Sequence, residues 1–448
     1  MIPKNAQLFK EILKSYYEGV LDEKIEELTK DEEVDKEILA RRISAICGVE
    51  VEYGKDFSSQ LKEALKNYIQ SNKVIVNTHD CVADCVTVNG KTICENACPF
   101  NAIIINKETS QAEINERDCV NCGICVDICK RENFIDKIEF IPLQEIIKEN
   151  KKVIAAVAPA ISGQFGPDVS IGQIRSALKA IGFADMVEVA FFADMLTIKE
   201  ASEFNKFVSE KEDFMLSSCC CPIWIGMIKK KFNELIKYTS PSVSPMIAAG
   251  RVIKAIDPEC KVVFIGPCIA KKAEAKMEDI KGAIDYVLTF TELKDIFDVL
   301  DIHLEKLPEE LSTQYSSKGG RIYARVGGVS EAVREALNEM FPDKISLFTS
   351  DKASGVPECR KMLSDITEGK ISARFLEGMG CIGGCVGGPK AIVPKEEGKK
   401  AVDKYGDDSK IKISVYNEIM NQFLNELGIK SLNDFENKEK ISIFEREL

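Results

Sequence analysis

The 448-residue sequence predicts an α/β protein with parallel or mixed sheets, preceded by a small cysteine-rich domain and a helical amino-terminal segment. Three observations predict this fold class. Strand-like and helix-like segments alternate from about residue 149, which is typical of α/β sheets. Eight cysteines fall between Cys81 and Cys129, and the first 72 residues carry apolar side chains at helical spacing. We therefore expect domains at residues 1–72, 73–148 and 149–448.

The amino-terminal segment is charged and amphipathic. We predict three or four helices from the spacing of Phe9, Ile12, Leu13, Tyr16, Ile38, Leu39, Ile43 and Ile46. Two uses fit this pattern: a structural cap, or a docking surface for a partner, including a second copy of the chain in a homodimer. Cys47 is interpreted as a small buried hydrophobic residue.

The cysteines of residues 73–148 form two runs. The second run, with the spacing Cys-x2-Cys-x2-Cys-x3-Cys, is typical of bacterial ferredoxins. The first is stretched by a turn at Asn89-Gly90 and ends in Cys98-Pro99. In two-cluster ferredoxins the last cysteine of each run binds the other cluster. We therefore assign one [4Fe-4S] cluster to Cys81, Cys85, Cys94 and Cys129, and a second to Cys119, Cys122, Cys125 and Cys98.

A pair of zinc sites is the alternative for these cysteines. Four-thiolate zinc usually shows two Cys-x2-Cys pairs separated by a dozen or more residues. A triple run with two-residue gaps does not match that pattern, so the spacing favours a ferredoxin-like domain that transfers electrons.

Residues 149–448 read as repeating strand and helix units. We predict strands at 153–158, 186–191, 261–265, 322–326 and 345–349, and helices at 171–181, 193–208 and 413–427. In such sheets ligand residues lie at strand ends and in the loops that follow. Cys268 lies just past a predicted strand, and Cys221-Pro222 opens a predicted helix.

Composition excludes several function classes. The formal net charge of -12 leaves no basic excess to neutralise phosphates, which argues against nucleic-acid binding. The segment after Met1 lacks the pattern of a signal peptide, and no apolar run has the length needed to span a bilayer. We therefore expect a cytoplasmic protein without membrane contact, whose 17 cysteines are mainly metal ligands. With only His79 and His303 available, His-rich metal sites are not expected.

The segment 377–389 contains the strongest local indication of a metal-binding site. Cys381 and Cys385 lie among six glycines, which allow the backbone to approach a bulky inorganic group. Thiolates bind iron–sulfur clusters or zinc. Cys221 and Cys268 supply the two further thiolates that a third [4Fe-4S] cluster requires.

Three segments together resemble the signatures of iron-iron (FeFe) hydrogenases, and departures from the usual family pattern make the chain similar to a divergent branch proposed to sense hydrogen. They are 218–224 (Ser-Cys-Cys-Cys-Pro-Ile-Trp), 266–274 (Gly-Pro-Cys-Ile-Ala-Lys-Lys-Ala-Glu) and 377–389. The resemblance implies a hydrogenase-type catalytic domain. It also implies a two-iron unit with carbon monoxide, cyanide and azadithiolate ligands, bridged to the third cluster by Cys385. Lys271 would donate to an iron-bound cyanide, and Pro159 and Met379 would be further cofactor contacts.

The resemblance also implies a proton path that begins at Cys220 and continues through Glu200, Ser240 and Glu203. Several positions depart from the family pattern. Gly266 replaces a methionine, Met246 replaces a glutamine, Phe207 replaces the arginine that usually ends the path, and Cys219 is an additional thiol. Cys260 and Cys359 are interpreted as structural.

The leading hypothesis is therefore a hydrogenase that catalyses reversible hydrogen oxidation and proton reduction, with slow turnover or a hydrogen-sensing role. Its expected partners are ferredoxin or a similar electron carrier and the proteins that mature the two-iron unit. The alternative is a non-catalytic iron–sulfur protein for electron transfer or cluster assembly.

Overall fold

The computed structural model describes residues 4–81, 85–87, 89–149, 152–210, 212–218, 220–311 and 315–448, so Cys219 lies outside it. The chain divides into two compact units. Unit 1 comprises Met1–Lys151 and Thr291–His303, and unit 2 comprises Lys152–Phe290 and Leu304–Leu448. None of the helices in the described ranges combines the length and the apolar composition needed to cross a bilayer.

Unit 1 begins with four helices: α1 (Asn5–Glu18), α2 (Leu21–Lys30), α3 (Lys36–Ile46) and α4 (Phe57–Lys66). The predicted apolar positions of α1, Phe9, Ile12 and Leu13, are fully buried. Asp35 caps α3 by accepting hydrogen bonds from the backbone N–H groups of Glu37 and Ile38. Cys47 is buried, and burial raises the pKa of its thiol to about 12.

The cysteine-rich part of unit 1 contains short elements: β1 (Ile75–Asn77), α5 (Ile93–Ala97), β2 (Ile103–Ile105), β3 (Ala112–Ile114), α6 (Ile124–Ile128), β4 (Phe134–Asp136) and α7 (Phe140–Lys148). β1 pairs with β4 and β2 with β3, both antiparallel. A capping box between Thr92 and Glu95 fixes the start of α5. Each cysteine run places one thiol inside its short helix and its last thiol directly after the helix.

The main sheet of unit 2 is parallel and has the order β6-β5-β8-β9. Its strands are β5 (Val153–Val157), β6 (Asp185–Glu188), β8 (Lys261–Gly266) and β9 (Tyr286–Thr289). All five residues of β5 are buried, as expected of a central parallel strand. Because parallel strands end at one edge, the residues that follow β5, β6 and β8 meet there.

A second parallel sheet has the order β10-β11-β7. It contains β7 (Met215–Leu216), β10 (Ser350–Ser354) and β11 (Phe375–Met379). β11 is the central strand, and all five of its residues are buried. The glycine-rich segment with Cys381 and Cys385 leaves from the end of this strand.

The helices of unit 2 surround these sheets: α8 (Ile171–Ile181), α9 (Val189–Phe207), α10 (Pro222–Lys231), α11 (Pro245–Ile256), α12 (Ala270–Glu274), α14 (Lys318–Ile322), α15 (Gly328–Met340), α16 (Val356–Thr367), α17 (Lys395–Asp407), α18 (Glu418–Glu426) and α19 (Lys438–Ile441). The remaining helix, α13 (Phe290–Val299), continues into unit 1. There Asp298 and Asp295 form ion pairs with Lys10 of α1 at 2.6 and 3.1 Å.

Helix α9 is buried along almost its whole length, from Val189 to Phe204. Its interior part includes the charged residues Asp194, Lys199, Glu200 and Glu203. Buried charges are tolerated only when paired or hydrogen-bonded. Asp194 shows how this is met: its carboxylate accepts hydrogen bonds from Ser317, Gly320 and Asn417. Burial nevertheless raises the pKa of Asp194 to about 6.

Three sequence predictions for unit 2 are corrected by the structure. The strand predicted at 186–191 ends at Glu188, and α9 begins at Val189 rather than at residue 193. A helix buried on all sides has no polar face, so its apolar start resembled a strand. The strand predicted at 322–326 is the end of α14 and a turn, because Ser317 caps α14 upstream. The strand predicted at 345–349 lies in a 3-10 turn (Pro342–Leu347), and the strand β10 follows it as a polar edge strand.

One buried carboxylate joins the second sheet to α15. Glu377 of β11 accepts hydrogen bonds from the backbone N–H groups of Gly327 and Ser330 at 2.8 and 2.9 Å, and from the Ser330 hydroxyl at 2.7 Å. It therefore caps the amino-terminal end of α15 from a distant strand. Burial raises the pKa of Glu377, although these donors act in the opposite direction.

We expect the Glu377→Ala variant to lose about 3 kcal/mol of unfolding free energy, because three buried donors lose their acceptor. Urea unfolding followed by the fluorescence of Trp224, the single tryptophan of the chain, measures this in unit 2. The matched control is Glu358→Ala, whose exposed carboxylate accepts one hydrogen bond, from the Ser354 N–H. An equal loss in both variants would contradict the capping role.

Candidate active site

The four cysteines of unit 1 that we assign to the first cluster surround one cavity. Cys81, Cys85, Cys94 and Cys129 all line it. Backbone N–H groups are directed at two of these sulfurs: Ala112 donates to Cys81 and Asn133 donates to Cys129, both at 3.3 Å. The Asn133 side-chain amide also donates to Cys81 at 3.1 Å. Donors aimed at sulfur stabilise thiolates and tune the potentials of bound clusters.

The other four cysteines of unit 1 line a second, separate cavity. They are Cys98, Cys119, Cys122 and Cys125. The N–H of Ala102 donates to the Cys98 sulfur and that of Asn121 to the Cys119 sulfur, both at 3.3 Å. Burial, together with the neighbouring thiols of Cys119 and Cys98, raises the pKa of Cys122 to about 12.

Each cavity thus takes three cysteines from one run and the last cysteine of the other. In the part of the chain that the structure describes, no three His, Cys, Asp or Glu side chains are placed as ligands of one single metal ion. The four thiols of each quartet line a cavity and do not converge on the position of one metal ion.

The four cysteines of unit 2 that we assign to the third cluster come from three places in the fold. Cys221 directly precedes α10, whose first residue is Pro222, and Cys268 lies two residues after β8. Cys381 and Cys385 follow β11 in the glycine-rich loop. Burial, together with the neighbouring thiols of Cys268 and Cys221, raises the pKa of Cys385 to about 12. The Gly380 N–H donates to the Cys221 sulfur at 3.2 Å.

The glycines allow this loop to approach other backbone segments. Gly384 has a φ of 95°, and a Cβ there would lie 2.8 Å from both the Val326 nitrogen and the Met379 sulfur. A Cβ on Gly388 would lie 2.5 Å from the carbonyl oxygen of Pro267. Close packing on Pro267 brings the loop next to the segment that carries Cys268.

A further cavity lies at the carboxyl edge of the main sheet. It is lined mostly by apolar side chains that follow the strand ends, and its lining includes Pro159, Cys220, Met246, Lys271 and Cys385. The structure therefore brings together four of the predicted site residues, Pro159, Cys220, Lys271 and Cys385. Met379 is buried beside Gly384 but does not line this cavity.

Lys271 is the cation of this cavity. Its side chain is only 8% exposed, and its ammonium donates to the Glu274 carboxylate at 2.5 Å. Burial alone lowers the pKa of Lys271, but Glu274 and the thiols of Cys268 and Cys385 raise it above its usual value. The cavity therefore presents one fixed positive charge in an otherwise apolar lining.

Gly266 lies where the family resemblance implied a methionine. A Cβ at this position would meet the ring of Phe264 at 2.5 Å and the Ala158 side chain at 3.4 Å. Phe264 itself lines the cavity. The aromatic ring thus occupies the room that a longer side chain at position 266 would need.

The predicted proton-path carboxylates both lie inside unit 2. Glu200 accepts hydrogen bonds from the Ser217 hydroxyl, at 2.9 Å to Oε2, and from the Ser218 N–H, at 3.1 Å to Oε1. Glu203 accepts one from the Ser240 hydroxyl at 2.6 Å. Phe207, at the position of the expected arginine, is 51% exposed.

Sequence reasoning missed four polar residues of this network: Ser217, Ser242, Lys199 and Glu445. The Ser242 hydroxyl oxygen lies 2.9 Å from that of Ser240, and the Lys199 ammonium contacts Glu203, Ser242 and Glu445. The sequence does indicate Lys199, because a lysine four residues before a predicted catalytic glutamate lies on the same face of the helix. The sequence gives no such indication for Glu445, because it lies more than 200 residues from Glu203 in the chain.

A family model for the carboxyl-terminal domain of the iron-only hydrogenase large subunit matches residues 151–389, more than half of the chain. This chain belongs to the iron-only hydrogenase family. Within it, the match covers the main sheet, helix α9 and the four cysteines Cys221, Cys268, Cys381 and Cys385.

Curated relatives agree with this family. The chain is 26% identical over 332 residues to the NADP-reducing hydrogenase subunit HndD of Solidesulfovibrio fructosivorans, covering 62% of this chain and 56% of that protein. It is 29% identical over 302 residues to the periplasmic [Fe] hydrogenase large subunit of Nitratidesulfovibrio vulgaris, covering 56% and 72%. This hydrogenase-family chain thus spans about half the length of the first of these relatives.

A different kind of relative aligns over a longer part of the chain. A probable cytosolic Fe-S cluster assembly factor from Anopheles gambiae is 22% identical over 427 residues and covers 84% of both chains. Among solved structures, a variant of the [FeFe]-hydrogenase HydA1 from Chlamydomonas reinhardtii superposes with a TM-score of 0.56 at 21% identity. That match covers 68% of this chain and 97% of the other, and it shows a shared fold.

The residues of this chain fit the iron–sulfur clusters that the family implies. The cysteines of unit 1 form two quartets around separate cavities. Amide N–H groups are directed at five cysteine sulfurs, Cys81, Cys98, Cys119, Cys129 and Cys221. In unit 2 a buried lysine faces the same cavity as Cys385, which suits an anionic group.

Proposed function

We propose that this chain is an iron-iron hydrogenase that catalyses the reversible oxidation of hydrogen to protons and electrons. Cys221, Cys268, Cys381 and Cys385 would hold one [4Fe-4S] cluster, and Cys385 would link it to a two-iron unit bearing carbon monoxide, cyanide and azadithiolate. The two quartets of unit 1 would hold two further [4Fe-4S] clusters. When bound, the two-iron unit supplies the site at which hydrogen is cleaved or formed.

One observation carries this proposal: Cys385, Lys271 and Cys220 line a single, mostly apolar cavity. A thiol anchors the inorganic group, a cation balances its charge, and a second thiol exchanges protons. A simple cluster carrier needs only the first of these. An apolar lining excludes water, so electrostatic interactions inside the cavity are strengthened.

Each residue has a separate role in this proposal. Lys271 holds an anionic ligand in place, with Glu274 fixing the position of its ammonium at 2.5 Å. Cys220 passes protons between the cavity and Glu200, whose carboxylate is oriented by Ser217 and Ser218. Glu203 and Ser240 continue the path away from the cavity.

The departures from the family pattern support slow turnover and a role in hydrogen sensing. The Phe264 ring beside Gly266, and Met246 in the cavity lining, replace groups that could donate to or contact the two-iron unit. Phe207 removes the usual outer end of the proton path. Electrons would pass through the clusters of unit 1 to ferredoxin or a similar carrier, in the cytoplasm, after maturation proteins have installed the two-iron unit.

The test is an anaerobic infrared spectrum of the full chain after addition of the synthetic two-iron cofactor. Iron-bound carbon monoxide and cyanide absorb in a region where protein is nearly silent. Bands that appear and change when hydrogen is admitted support the proposal. Their absence from a chain that holds three [4Fe-4S] clusters by iron analysis would refute it.

A second candidate is an iron–sulfur protein of cluster assembly. It is favoured by the long alignment with the Anopheles gambiae assembly factor, which covers 84% of both chains. The same infrared experiment separates the two candidates, because this role requires the thiol quartets but not Lys271 and Cys220 in the cavity.

A further inference from the structure

Lys199 is a fully buried lysine in the middle of helix α9, with a side chain that is 0% exposed. A buried ammonium is costly unless each of its three N–H groups meets an acceptor. Lys199 donates to the Glu203 carboxylate and, at 3.0 Å, to the Ser242 hydroxyl. Its third neighbour is the Glu445 carboxylate at 3.4 Å. The ammonium thus joins two carboxylates from distant parts of unit 2.

The hydrogen bonds around Lys199 connect it to Glu203 and to two serines. Lys199 donates to Ser242, and the hydroxyl oxygens of Ser242 and Ser240 are 2.9 Å apart. Ser240 donates to Glu203 at 2.6 Å. The Ser240 hydroxyl is also oriented toward Ser242, so its one proton can be given either to Glu203 or to Ser242. A proton therefore has a direct route from Lys199 to Glu203, while Ser242 accepts from Lys199 and Ser240 donates to Glu203 on either side of that contact.

Glu445 lies at the outer end of this network. Its side chain is 25% exposed, whereas Glu203 is 9% exposed and Lys199 is closed to solvent. The backbone holds Glu445 in place: residues 444–446 pair with residues 241–243 through an antiparallel bridge between Ser242 and Glu445. Arg251 also donates to the Glu445 carbonyl at 2.6 Å. The fold therefore fixes the position of Glu445 beside Lys199.

We propose that Lys199 and Glu445 form the solvent end of the proton path in this chain, in the role that a surface arginine would fill at Phe207. The inference rests on the proposed hydrogenase function. For inward transfer, the Glu445 carboxylate takes a proton from water. Lys199 gives one proton directly to the Glu203 carboxylate and recovers one from the Glu445 carboxyl. The net change is one proton moved from solvent to Glu203, and outward transfer reverses each step.

The first test is the isosteric variant Glu445→Gln, which keeps the size of the side chain but cannot be protonated. We expect it to lower hydrogen turnover at least ~10-fold, with unchanged infrared bands of the loaded cofactor. The matched control is Glu447→Gln, two residues away and exposed, which should turn over like the parent chain. Glu445→Asp should recover part of the rate, and a small weak acid added to Glu445→Gln should recover part as well. Parent-like turnover in Glu445→Gln would overturn the inference.

The second test does not depend on activity. In the full chain without the two-iron cofactor, nitrogen-15 NMR of labelled lysine follows exchange of the Lys199 ammonium with water, with the signal identified by its loss in Lys199→Met. We expect exchange to slow in Glu445→Gln and to stay unchanged in Glu447→Gln. Equal exchange in the two variants would refute the relay. If the parent chain shows no hydrogen turnover, the proposed function fails, and this measurement still decides whether Lys199 reaches solvent through Glu445.

Discussion

Replacing Cys385 with alanine is expected to abolish both hydrogen turnover and the infrared bands of the two-iron unit. Cys385 is the member of its quartet that also lines the cavity, where it lies with Lys271 and Cys220. Removing its sulfur takes away the one protein atom that joins the two inorganic groups in the proposed site. Lys271 would then face the cavity without an anion, apart from Glu274.

The control for this experiment is Cys260→Ala, because Cys260 is also a buried thiol of unit 2 but does not line the cavity. Its bands and its rate should match those of the parent chain. The electron paramagnetic resonance signals of the unit 1 clusters should persist in both variants, which shows that the chain has folded. Cofactor bands of normal intensity in Cys385→Ala would contradict the assignment.

Replacing Cys220 with alanine is expected to lower hydrogen turnover about 100-fold or more while the cofactor bands remain. Cys220 lines the cavity but is not one of the four proposed cluster ligands. Its thiol therefore carries protons rather than iron in this proposal. Serine at this position should not restore the rate, because a hydroxyl releases its proton far less readily than a thiol, whose usual pKa is about 8.5.

The result separates two defects in the same site. If Cys220 were needed to hold the cofactor, the bands would weaken in proportion to the rate. If the thiol moves protons, the rate falls and the bands stay. A Cys220→Ala variant with parent-like turnover would show that protons reach the cavity by another group.

Local sequence patterns were sufficient to predict much of the candidate site. Loop positions follow directly from motifs, so Cys221, Cys268 and Cys385 could be found from a few neighbouring residues each. The network around Lys199 could not, because it depends on a pairing between residues 241–243 and 444–446. No local pattern reports such a contact between distant segments.

The secondary-structure elements also divide into those that local sequence patterns predict and those that they do not. The strand β5 and the helix α8 were predictable because an apolar run and a clear helical period mark them. The start of α9 was not, since a helix enclosed by protein on every side has lost the polar face that reveals its period. The strand β10 was missed because its residues are mostly polar, as suits a sheet edge.

The exchange of Cys98 and Cys129 between the two cavities of unit 1 would affect how the proposed clusters assemble. If the two quartets hold the proposed clusters, each cysteine run is fully ordered only when the neighbouring centre is also filled, since its last thiol would belong there. Metal loading of this unit should therefore be cooperative: at limiting iron, fully charged and empty molecules should outnumber half-charged ones. We also expect loss of one proposed centre to weaken the other, because it would release the last thiol of the cysteine run that holds the other centre.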